Sequence, residues 1–254
     1  MVIFKRFIIM VQFFTSIPVP VNIECSEKDY GKGLVFAPLV GLILGIFMCF
    51  VYKLLSLFLP ANIISVLLVI VYIALTGGLH LDGLGDTFDG LYSNRPKEKI
   101  LEIMRDSRVG TNAVLALVSI ILLNYVLLTE LNTNPHIIEA LLLFPVAGRI
   151  GSLMGAGVSV YARKNEGLGK SFIDHCGKKE MFFGGILSIV IFSAIYGVKG
   201  LIMAAIVMIT AVIITKIFTK KIEGATGDIL GAVCELNQTT FLVLFYIMEV
   251  VLKI

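Results

Sequence analysis

The sequence of 254 residues has no tryptophan, and only 15% of its residues are charged. That shortage of charge excludes an ordinary soluble domain, whose composition runs to about 25% Asp, Glu, Lys and Arg. Cysteine is equally uninformative as a scaffold. Cys25, Cys49, Cys176 and Cys234 are scattered with no paired spacing, which excludes a disulfide framework and a thiolate metal knuckle. The net charge is only +3 and is spread along the chain, so no basic patch for nucleic acid is present. No small-x-small cleavage pattern follows the apolar N-terminus, where Pro18, Pro20 and charges from Glu24 onward intervene, and no cleaved leader is expected.

What the chain does have is apolar length. Hydrophobic residues make up 57% of it and the mean hydropathy is +0.95. Stretches 33–52, 54–79, 109–129 and 181–198 contain no Asp, Glu, Lys or Arg. Each is close to or longer than the roughly 18 to 20 residues that cross a bilayer core. The expectation is an all-α, polytopic transmembrane bundle forming a single membrane domain over residues 1–254. About seven spans are expected, near 33–52, 62–79, 111–129, 138–160, 181–198, 200–216 and 237–252. Residues 1–20 read as an interfacial or re-entrant element stopped by Pro18 and Pro20. Of the 21 basic residues, 17 fall in segments 1–32, 80–108, 162–180 and 216–235. The positive-inside rule puts those segments in the cytoplasm.

The distinctive polar residues cluster on that same side. Asp82, Asp86 and Asp89, spaced four and three apart, lie within about 60° of one another on a helix. Three carboxylates on one face repel unless a cation joins them, and oxygen-only ligands suit a hard ion such as Mg²⁺ bridging to phosphate. Alternatively they cap a helix or face solvent at a span end, though glycines 77, 78, 83, 85 and 90 favour close packing or ligand approach. A second cluster holds Glu102, Arg105, Asp106 and Arg108, where the guanidiniums either bind phosphate oxygens or balance neighbouring acids. Arg149 falls inside an apolar span, which is costly without a carboxylate, a phosphate or a wet cavity. Arg163 follows in a charged loop, and Asp228 and Glu235, seven apart, share a helical face among small residues.

These clusters, in order, resemble the cobalamin synthase (adenosylcobinamide-GDP ribazoletransferase) family. The resemblance rests on 80–90, 102–110 and Thr226-Gly227-Asp228 through Glu235. It is extended by Phe14-Thr15-Ser16-Ile17-Pro18-Val19-Pro20, the Gly33 to Gly45 region with Pro38 and Gly41, Tyr161-Ala162-Arg163 and Glu166-Gly167. It covers almost the whole chain. Three positions depart from the pattern: Gly85 for an expected alanine, Ser16 for a basic residue and Ala225 for tyrosine.

The resemblance implies a Mg²⁺-dependent transferase in the cell membrane, with its site at the cytoplasmic face and a homo-oligomer compatible with it. The implied substrates are adenosylcobinamide-GDP and α-ribazole or its 5′-phosphate. The ribazole 5′-hydroxyl would attack the cobinamide-linked phosphate and GMP would leave. On this reading Asp82, Asp86 and Asp89 hold the metal, with Asp106 a further ligand. Asp89 is the first choice for the base and Asp86 the alternative. Arg105, Arg108, Arg149 and Arg163 are the expected phosphate clamps, and Asp228 and Glu235 orient substrate or complete metal binding. A lipid CDP-alcohol phosphatidyltransferase fits less well, because Thr87 follows Asp86 and no Ala-Arg pair follows Asp89. An ion pathway would need acids deep in several spans.

Overall fold

The computed structural model describes residues 2–164 and 167–253. Eleven α-helices are present among the described residues, and apart from one isolated bridge the secondary structure is helical. In chain order they are α1 (Val2–Phe14), α2 (Glu27–Gly33), α3 (Ala37–Leu55), α4 (Ala61–Thr76), α5 (Leu79–Leu91) and α6 (Lys97–Ile103). There follow α7 (Thr111–Leu131), α8 (Ile137–Gly157), α9 (Leu168–His175), α10 (Lys178–Thr219) and α11 (Gly227–Tyr246), which runs into a π-helical turn, Ile247–Leu252.

Five helical runs are long and apolar enough to cross a membrane, and α4 with α5 makes a sixth if that bent pair is one span. The chain is therefore a polytopic membrane-helix bundle. Large apolar side chains such as Ile46, Phe47, Phe50, Val66, Ile70 and Leu122 point outward, which is stable only against lipid.

Helix α8 is the axis of the bundle. Every residue from Leu143 to Ala156 is buried, including Arg149, because α3, α10 and α11 all pack around it. Helix α11 in turn lies between α8 and α5.

One expected boundary is corrected and another is located. The apolar runs at 181–198 and 200–216 form the two limbs of α10, separated by a kink of non-helical backbone at Tyr196 and Gly197. Gly197 takes φ +59°, open to glycine at no steric cost. A Cβ on Gly200 would collide with the Phe192 carbonyl oxygen, so the two limbs fold back on one another. The last helix begins at Gly227, ten residues before the expected span, so Asp228 and Glu235 belong to α11 and not to a loop. Thr226 supplies the start signal, its hydroxyl accepting a hydrogen bond from the Ile229 amide.

The N-terminal element is helical to Phe14 and buries Ile9, Met10, Val11 and Phe14. Lys5 and Arg6 reach Asp29 at 2.8 and 3.2 Å, tying α1 to α2.

Candidate active site at the aspartate face

The site begins at a break in the chain. Gly77 and Gly78 both adopt positive φ, +62° and +70°, which turns the backbone 91° between α4 and α5. The segment after the break looks like a loop by its glycine content, yet it is a helix held by packing. Gly83 lies so close to α11 that a Cβ would sit 2.8 Å from the Asp228 carbonyl oxygen. A side chain at that position would push α5 off α11. Its absence brings Asp228 into the same charge field as Asp86, which also feels Asp82, Asp89 and Arg163.

The three aspartates differ in their ties. Asp89 accepts backbone hydrogen bonds from Gly110 at 2.6 Å and Ala113 at 2.9 Å, so its carboxylate caps the N-terminus of α7. No such tie holds Asp82 or Asp86 among the described residues. Asp82 is exposed and Asp86 is half-buried. Gly85, where alanine is expected, has room for a Cβ only 3.3 Å from that of Ala113, a tight fit between α5 and α7.

Two cavities meet at this face. The first, of about 300 Å³, lies among Phe13, Phe14, His80, Tyr161, Arg163, Phe172 and Asp228. The second, about 320 Å³, is walled by Asp86, Asp89, Asp106 and Arg108. Asp82 and Arg105 line both.

Arg163 is delivered to the first cavity by a short parallel bridge between Tyr161 and Ala225, where Ala162 N–H donates to the Ala225 carbonyl at 2.9 Å. Its guanidinium then pairs with Asp228 at 3.0 Å. The neighbouring Glu166 lies outside the described residues. At the second cavity, Arg108 forms a two-pronged pair with Asp106, and those hydrogen bonds pull the exposed Asp106 carboxyl down to about 2.

Arg149 and Glu235 line neither cavity. Arg149 is wholly buried and donates to Tyr72 Oη at 2.7 Å and to the Phe14 carbonyl at 3.4 Å. Tyr72 passes a hydrogen bond to Gln238 at 2.7 Å, and Gln238 donates to Glu235 at 2.6 Å. The chain of contacts joins α1, α4, α8 and α11 beneath the aspartate face. Tyr72, Gln238 and Phe14 gave no sequence signal of this role, since each looked like ordinary span or core material.

The potential metal cluster that emerges is His80, Cys234 and Glu235, whose ligand atoms lie within 4.8 Å of one another. All three are buried, and the Arg149 guanidinium stands 3.6 Å from Cys234 Sγ. A fixed cation already fills the electrostatic role there, so this trio suits a hard divalent ion poorly.

Known proteins similar to this chain over nearly its whole length give its family. The family model described as cobalamin-5-phosphate synthase matches residues 6–246. The chain belongs to this family. An adenosylcobinamide-GDP ribazoletransferase of Acetivibrio thermocellus is 58% identical over 245 residues, covering 96% of this chain and 98% of that protein. A protein of the same name from Clostridium acetobutylicum is 56% identical over 246 residues, 97% of each chain. Another from Alkaliphilus metalliredigens is 42% identical over 238 residues, 94% of this chain and 93% of its own. No solved structure matches. Within the chain, the expected residues Asp82, Asp86, Asp89, Arg105, Asp106, Arg108, Arg163 and Asp228 are gathered around the two cavities, whereas Arg149 and Glu235 lie behind them.

Proposed function

We propose that this membrane protein is an adenosylcobinamide-GDP ribazoletransferase acting in cobalamin assembly. A ribose ring hydroxyl, free in both α-ribazole and its 5′-phosphate, attacks the cobinamide-bearing phosphorus of adenosylcobinamide-GDP. The new bond joins that phosphorus to the hydroxyl oxygen, the bond broken is that phosphorus to the bridging oxygen, GMP leaves with the bridging oxygen, and the hydroxyl proton passes to a carboxylate. The observation that carries the reading is the meeting of two cavities at Asp82 and Arg105, one with four carboxylates and no aromatic ring, the other walled by aromatic rings beside the Arg163–Asp228 pair.

The second cavity fits Mg²⁺ by donor chemistry, since Asp82, Asp86, Asp89 and Asp106 offer only carboxylate oxygen. When bound, the ion would neutralise the diphosphate and the charge growing on departing GMP. The residues do the rest. Arg105 and Arg108 hold phosphoryl oxygens, and fixed cations stabilise the charge that develops during transfer. We assign proton acceptance to Asp86 over Asp89, because both oxygens of Asp89 already accept backbone hydrogen bonds at the start of α7, whereas Asp86 has no such tie among the described residues. Arg149 and Glu235 position the helices that carry the site and do not touch phosphate.

The two limbs of α10 are taken as separate crossings, which with the α4 span makes seven. The site faces the cytoplasm, on the strength of the 17 basic residues in the segments around it. Inside-out and right-side-out vesicles containing the protein, given Mg²⁺ and both substrates outside, test activity and orientation together. GMP and adenosylcobalamin should form with inside-out vesicles alone. No product from either preparation, with detergent-opened vesicles also inactive, would overturn the activity. Product from right-side-out vesicles alone would overturn the orientation.

A further inference from the structure

We propose that the two cavities divide the substrates: the acceptor nucleoside occupies the aromatic-walled first cavity among Phe13, Phe14 and Phe172, and the donor diphosphate enters the second. This rests on the transferase reading above. It adds where each substrate sits.

The walls differ in kind. Phe13 and Phe172 have ring centroids 4.7 Å apart, Phe14 and Phe172 6.2 Å, and Phe14 stacks on His80 at 5.5 Å. These rings come from α1, α5 and α9, and they form an aromatic wall at the end of the bundle where the aspartates lie. The second cavity has no aromatic side chain in its lining and instead holds four carboxylates and two guanidiniums. A benzimidazole base is flat, apolar and uncharged, so it gains by stacking against rings and leaving water. A diphosphate gains little from rings, and of the two guanidiniums in the first cavity, Arg105 is shared with the second and Arg163 is held by Asp228. The diphosphate needs cationic partners and a metal, and the second cavity brings four carboxylates together beside Arg105 and Arg108.

Size agrees with the division. About 300 Å³ is the lower end of the usual range for ligand pockets, roughly 300 to 1,000 Å³. That accommodates one nucleoside and excludes a corrinoid ring bearing its nucleotide. The corrinoid portion must then lie outside, with the diphosphate reaching in through the open second cavity.

The first cavity also contains polar atoms that lack partners. His80 Nδ1 and Arg163 Nε are buried and unpaired among the described residues. Both residues line this cavity, and buried polar atoms without partners are rare unless a ligand or water completes them. Asp228, paired with Arg163, stands in the same wall where a ribose would present its hydroxyls. The attacking ribose hydroxyl would then reach Asp82 and Arg105, the residues common to both cavities.

The occupant that competes for the aromatic wall is the guanine of the donor. Wild-type protein in nanodiscs, labelled with a benzimidazole riboside carrying a photoreactive diazirine on the ring and digested for mass spectrometry, separates the two. Adducts are expected on peptides containing Phe13–Phe14 or Phe172, and α-ribazole should compete them away while GMP should not. Adducts on 104–109, or competition by GMP and not by α-ribazole, would overturn the assignment. Kinetics give a second arm: Phe172→Ala should raise the KM for α-ribazole at least tenfold and leave the KM for adenosylcobinamide-GDP within twofold. A rise in the donor KM alone would sink the proposal. The labelling arm needs no turnover, so an inactive wild-type protein would count against the transferase reading while the adduct positions still judge the subsite.

Discussion

Two groups of charged residues lie a few side chains apart and are treated in opposite ways. On the aspartate face, Asp82 and Asp86 reach cavity space and have no fixed partner among the described residues. Beneath it, Arg149 is fully buried, and Tyr72, Gln238 and Glu235 continue a relay of hydrogen bonds from its terminal nitrogens, with its Nε left without a partner among the described residues. Helix α11 contributes to both groups. Asp228 and Glu235 are on one face of α11, one in a cavity wall and the other 2% exposed. A polar residue in a membrane protein therefore declares its role by whether its hydrogen bonds are already taken. Open groups await substrate, and closed groups hold the frame that aims them.

The largest expected effect lies in the closed group. Arg149→Met removes the cation and leaves Glu235 buried without it, a loss on the order of 3 to 5 kcal/mol where one partner of a buried charged network is removed. Folded protein should fall sharply, read by size-exclusion yield and thermal melting in detergent. The double variant Arg149→Met with Glu235→Gln should recover much of the yield, because no unbalanced charge remains. A stable single variant with only a raised donor KM would show that Arg149 touches phosphate after all, and the contrast between the groups would break.

A smaller effect is expected at the rim. Arg108 has 88% of its side chain exposed and pairs with Asp106, so Arg108→Ala should leave melting unchanged, as exposed pairs contribute little to stability. It should lower kcat/KM for the donor by about tenfold, the scale of one charge-assisted hydrogen bond. Unchanged kinetics would reduce the pair to a surface feature and narrow the open group to Asp82, Asp86 and Arg105.

Most of the membrane frame was legible from uncharged length, since a bilayer imposes that length directly. Expected spans near 111–129 and 138–160 fall within a few residues of α7 and α8. The start of α11 was placed too late because residues 227–235 hold two glycines, an aspartate and a glutamate, which lower the local hydropathy below that of a span, although Asp228 and Glu235 repeat at helical spacing. They are helical because small residues let α5 and α8 pack against them, a tertiary effect that local hydropathy does not register. Helix α5 was legible as an acidic face only because its aspartates repeat at helical spacing. Arg149 stood out as a charge in a span, but its partners lie 77 and 135 residues away in sequence, at Tyr72 and Phe14. Nothing in periodicity connects them.

The most direct test of the account compares GMP release by wild type and Asp82→Asn, each in nanodiscs with saturating substrates and Mg²⁺. Asp82 is exposed and lines both cavities, so the amide should leave the melting temperature unchanged and lower kcat by at least about a hundredfold, the scale of losing a group that stabilises the transition state. An Asp82→Asn protein that melts like wild type and releases GMP at the wild-type rate would contradict the claim that transfer takes place at the aspartate face.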